Sequence, residues 1–91
     1  MQQAPMLGAV LITKLYKMEN LEKLTKEMAI KEVADIRSIA LDDEAAHSTE
    51  DSLHYWFICC VAAGMYEKEE AIEVANIVKS TSEIDFARWC V

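Results

Sequence analysis

The chain has 91 residues, 53% of them hydrophobic and 27% charged, with a net charge of −7. That length makes one domain, 1–91, with one small core. Nine basic residues against sixteen acidic ones would repel phosphates, so direct nucleic-acid binding is not expected.

Two glycines and one proline are too few for a sheet with tight hairpins, so the composition points to helices. Pro5 suits a first helical turn. Leu7, Val10, Leu11, Leu15 and Met18 then follow at helical spacing, with Lys14 and Lys17 on the margin. The apolar run at residues 6–12 has no basic stretch before it and no cleavage site after it, so a secretory leader is not expected.

Asn20 is a candidate cap for a surface helix over residues 20–41, or the chain continues from the first helix. Leu21, Leu24 and Met28 share a face, and further along Val33, Ile36, Ile39 and Ala40 do the same, which predicts a surface helix with one packed face. Glu22–Lys26 and Glu27–Lys31 have the i,i+4 order that supports a helix by about 0.3–0.5 kcal/mol each.

The acids Asp42, Asp43 and Glu44 suit the start of a helix, where the dipole favours negative charge. Ala45 to His47 read as a short turn. Ser48 with Asp51 then has capping-box spacing and opens the central helix, about 49–63. Leu53, Trp56, Phe57, Cys60, Val61 and Gly64 form one face of it. Tyr55, Ile58, Cys59, Ala62 and Met65 make the other side apolar too, which predicts cover on more than one side. Gly64 is the expected stop.

Glu67 to Lys79 reads as a helix with Ala71, Val74, Ala75 and Val78 on its packed face. Ser80 to Ser82 form a break, and the Ser82/Asp85 spacing predicts a last short helix over residues 84–91, docked by Phe86 and Trp89 or by Ile84 and Ala87. The expected fold is all-α, a compact bundle of about four to five helices around a buried central helix. An N-terminal hairpin arm is the variant.

Three cysteines, two of them adjacent, do not make a disulfide framework; reduced core thiols and a cytoplasmic setting are expected. Glycines at positions 8 and 64 alone cannot build a phosphate loop, and no cofactor is expected. His47, Glu50, Asp51 and His54 are the residues that could bind a divalent ion or act as acid and base, provided one helix carries all four. Glu32 and Asp35, with Glu19 and Glu22 upstream, resemble in carboxylate spacing the magnesium-binding steps of all-α nucleotide pyrophosphohydrolases of the MazG type. That resemblance implies two facing helices around a metal cluster.

Charge is uneven. Residues 38–91 hold three basic and eleven acidic groups, and no Lys or Arg occurs between Arg37 and Lys68. An acidic surface of this kind attracts a basic protein partner. The balance favours a non-catalytic protein–protein interaction module, a homo-oligomer or an inhibitor of a basic or nucleic-acid-binding protein. A small metal-dependent hydrolase is the alternative. The expected partner contact is Asp42, Asp43, Glu44, Glu50 and Asp51. The expected oligomer contact is Leu7, Val10, Leu11, Leu15 and Met18.

Overall fold

The computed structural model describes residues 21–88, which are helical with no strand among them. Three helices run in chain order: α1 at Lys26–Ser38, α2 at Asp43–Ala62 and α3 at Lys68–Lys79. A 3-10 turn over Ser80–Glu83 follows α3. Each helix packs on the other two, with the α1–α3 contact the most extensive. The stripe at Leu7, Val10, Leu11, Leu15 and Met18 lies outside the described residues, as do Trp89 and Cys90.

The first helix begins later than its composition suggests. Thr25, not Asn20, is its cap, and the Thr25 hydroxyl accepts the Met28 amide at 3.2 Å. Residues 21–25 are a non-helical strap. Glu22 therefore lies outside the helix and cannot form the expected i,i+4 pair with Lys26. Lys26 reaches Glu73 on α3 at 4.0 Å instead, and Lys31 pairs forward with Asp35 at 3.0 Å.

The main correction concerns α2. It is one continuous helix of 20 residues. Asp42 is its N-cap and accepts the Ala45 amide at 3.1 Å. Ser48 lies inside it and caps nothing. Ala45 and Ala46 are strong helix formers that carry the helix past the cap-like Ser48–Asp51 spacing. The Thr49 hydroxyl bonds back to the Ala45 carbonyl at 2.8 Å, a bond that fits within a helix.

The far end of α2 is as read. Gly64 has φ +71°. Its amide bonds to Val61 O at 2.9 Å, and the Met65 amide bonds to Cys60 O at 3.1 Å. This is a Schellman ending with glycine in the left-handed position.

The core is aliphatic. Leu21 and Leu24 from the strap meet Ala29, Val33 and Ile36 of α1, Ala46, Leu53 and Cys60 of α2, and Val74 and Val78 of α3. Ile84 and Phe86 close it from the C-terminal side. The expected last helix is absent among the described residues: Ile84 is extended, at φ −82° and ψ 131°, and residues 85–88 are not helical. The cap-like Ser82 is taken up in the 3-10 turn.

Nor do the described residues cover α2 all round. Trp56 and Phe57 are only partly buried, while Ile58 and Val61 are 58% and 48% exposed.

The N-terminal strap has no sheet to bond its backbone, and side chains of α2 and of the α2–α3 loop do this instead. Trp56 Nε1 donates to Glu22 O at 2.7 Å and Tyr66 Oη to Leu24 O at 2.7 Å. The Leu24 amide donates to Cys60 Sγ at 3.4 Å. Burial, helped by Cys60 and Glu70, pushes the Tyr66 phenol well above its usual range and keeps it a donor. Lys23 bonds Glu70 at 2.7 Å and lies 5.6 Å from the Tyr66 ring centre.

Two substitutions test this account by urea unfolding. Tyr66→Phe strands the Leu24 carbonyl and should cost about 1–2 kcal/mol. Gly64→Ala meets no atom within 4 Å of the added Cβ, so only the backbone conformation is penalised. Its expected cost is about 1 kcal/mol with an unchanged m-value.

Candidate functional site

The stretch Asp43 to His54 of α2 carries its acids and both histidines. Because the helix is continuous, His47, Glu50, Asp51 and His54 do share it, and His47 Nε2 lies 3.5 Å from Asp51 Oδ2. The other two are turned to the interior of the fold. His54 Nε2 is 2.9 Å from the Thr81 hydroxyl, which in turn bonds Val78 O at 3.0 Å. Glu50 is 4% exposed and sits mid-helix, not in a first turn.

Glu50 is held by Arg88. The guanidinium donates through Nε to Oε1 at 2.9 Å and through Nη2 to Oε2 at 3.3 Å. Nη2 also reaches Thr81 O at 2.7 Å and Ile84 O at 3.0 Å, and Nη1 reaches Phe86 O at 3.3 Å. The same group stacks 3.8 Å over the Phe86 ring. One arginine thus folds the C-terminal strap, residues 84–88, onto itself and onto α2. A second tie is the Ala87 amide, which donates to Asp43 Oδ1 at 3.1 Å.

Burial alone would raise the Glu50 carboxyl. The hydrogen bond from Arg88, one from Thr81 and the charges of Arg88 and His54 outweigh burial and hold it below its ordinary value of 4.5. The Thr81 hydroxyl has one hydrogen to offer, to Val78 O or to this carboxylate.

Of the five acids expected at a partner contact, Asp42, Asp43, Glu44 and Asp51 are exposed. Asp42 caps α2 and Asp43 ties the strap, while Glu44 and Asp51 face solvent and, among the described residues, bond to no other element. Glu50 is closed off by the strap. Arg88 is the residue that sequence reading missed. Its only signal was being the lone cation after Lys79.

The Glu32/Asp35 step behaves differently from the pyrophosphohydrolase pattern. Both residues lie on α1, Asp35 is bonded by Lys31, and Glu22 lies in the non-helical strap, not on a facing helix. Glu19 lies outside the described residues. Burial raises the Glu32 carboxyl, with Asp35 adding to the rise. Among the described residues no three His, Cys, Asp or Glu side chains are grouped to hold a metal ion. Nor is any helix among them long and apolar enough to cross a membrane.

No protein-family model matches the chain, and no match to it was found among curated proteins or solved structures.

The buried pair makes an acid-side prediction. The folded pKa of Glu50 lies below its unfolded one, so its stabilisation is complete above about pH 4.5 and is lost as pH falls through the depressed value. Glu50→Gln should remove that part of the acid dependence. At neutral pH, Arg88→Ala leaves a buried charge without its partner and should cost about 3 kcal/mol. Urea unfolding from pH 7 to pH 3 reads both.

Proposed function

We propose that this protein is a non-catalytic protein–protein interaction module of the cytoplasm, with an acidic surface for a basic protein partner and self-association through its apolar N-terminal stripe. The observation that carries the reading is the solvent side of α2. Glu44 and Asp51 are exposed in its first half, and Ile58 and Val61 are about half exposed near its end. Exposed aliphatic side chains beside a field of one charge sign are the marks of a contact surface. Binding to nucleic acid is disfavoured by the same field.

On this reading the stripe at Leu7, Val10, Leu11, Leu15 and Met18, which lies outside the described residues, supplies the contact between copies. An inhibitor of a nucleic-acid-binding protein is one form such a module takes, with Asp42, Asp43, Glu44 and Asp51 meeting the partner's basic groove.

The metal-dependent hydrolase draws less support. Two of its four residues, Glu50 and His54, are engaged by Arg88 and Thr81. A ligand that binds only the folded state raises its melting temperature by mass action, which separates the two readings.

The expected result is a molar mass by light scattering that rises with protein concentration, and a melting temperature indifferent to added zinc or magnesium. A concentration-independent monomer stabilised by several degrees with either ion would overturn the proposal. Glu44→Gln with Asp51→Asn, which leaves both structural acids in place, should change stability by no more than about 0.5 kcal/mol.

A further inference from the structure

Buried Ala46, Leu53 and Cys60 turn one side of α2 to the core. On the opposite side, Glu44, Asp51 and Ile58 follow at intervals of seven residues, so they lie along one stripe of the helix. Val61 and Ala62 adjoin Ile58 one turn further on. All five are exposed, Ile58 at 58% and Val61 at 48%. This open face is acidic over its first half and aliphatic over its second. No Lys or Arg lies on α2 to offset the acids.

Residues 1–20, outside the described part of the chain, have the complementary chemistry. They hold Lys14 and Lys17 against one acid, Glu19, and their apolar stripe begins at Leu7. The spacings match as well. Leu7, Val10 and Lys17 repeat, in reverse order, the intervals of Val61, Ile58 and Asp51. Asp51 is 70% exposed at its side chain and bonds within its own helix to His47, so a lysine can reach it.

The course of the chain indicates which copy receives the stripe. Trp56 Nε1 holds Glu22 O at 2.7 Å, and Tyr66 Oη, beyond the end of α2, holds Leu24 O at 2.7 Å. The strap therefore runs toward the C-terminal end of α2. The matching intervals require the opposite direction. On its own chain the stripe would have to reverse within Glu19 and Asn20. Across a two-fold axis perpendicular to α2, the helix of a second copy is already antiparallel.

We propose that the open face of α2 is the docking site for the N-terminal stripe of a second copy, exchanged reciprocally between two chains. Leu7 and Val10 pack on Val61 and Ile58, and Lys17 pairs with Asp51. The inference rests on the self-association reading above and gives the stripe its receiving surface. An amphipathic helix laid on an apolar face is a recurrent mode of recognition, with charges at the margin fixing direction. The exchange closes on two copies and leaves no face over for a third.

The test is light scattering on the full chain over a range of concentrations, with melting temperatures recorded where wild type is monomeric. Ile58→Asp puts a charge where the stripe packs. It should abolish the dimer and leave the monomer's melting temperature unchanged, because the side chain is exposed. Asp51→Lys and Lys17→Glu each set like charges together and should weaken the dimer about tenfold, less at high salt. An equimolar mixture of these two variants should restore it, because each stripe then meets a face of opposite charge on the other chain.

A dimer insensitive to Ile58→Asp and to both charge changes overturns this inference alone, and self-association stands. So does a mixture that stays as weak as its components. A wild type that is monomeric at every concentration defeats the self-association reading and this inference with it. If Ile58→Asp then lowers the melting temperature, the stripe docks on its own chain. Should Ile58→Asp not fold, the mixture of the two charge variants decides.

Discussion

A non-helical segment outside any sheet brings backbone donors and acceptors into the fold with no ladder to receive them. Among the described residues, 21–25 and 84–88 are such segments, and both supply core side chains. Leu21 and Leu24 enter from one, Ile84 and Phe86 from the other. Neither can reach the core unless something else satisfies its main chain. Trp56, Cys60 and Tyr66 do so for the first, and Asp43 and Arg88, itself held by Glu50, do so for the second. Each of these partners except Arg88 lies on α2 or in the loop that follows it. The longest helix is therefore the part on which both straps are assembled.

This explains why the most apolar stretch is not the most buried one. Trp56 and Tyr66 are amphipathic. Each uses its polar tip on a strap carbonyl and leaves part of its ring at the surface. Small side chains take the closest approaches: Ala29, Ala46 and Cys60 are fully buried. On the other side of α2, Ile58 and Val61 remain exposed.

The two ends of α2 were legible to different degrees. Gly64 announced its role because only glycine takes a positive φ without strain, and it does so at 71°. The start was ambiguous, since Asp42 and Ser48 are both good caps with an acid three residues or fewer beyond. The helical period could not choose between them, because alanines continue a helix as readily as they flank one. The choice matters for the site. With Asp42 as cap, Glu50 falls two turns in and on the buried face, where it becomes an ion-pair partner and not a first-turn acid.

The sequence by itself determined the helical class, the α3 segment with its Val74 and Val78 face, the stop at Gly64 and the acidic character of the α2 start. These follow from local rules: side-chain period, backbone freedom at glycine, and charge near a helix dipole. Tertiary structure alone decided that residues 21–25 and 84–88 are straps, and that Arg88 crosses the fold to Glu50, 38 positions away. It also decided that Trp56 bonds a carbonyl 34 positions earlier. The reason is physical. Such contacts depend on which helix faces meet, and no spacing within one segment records the orientation of another.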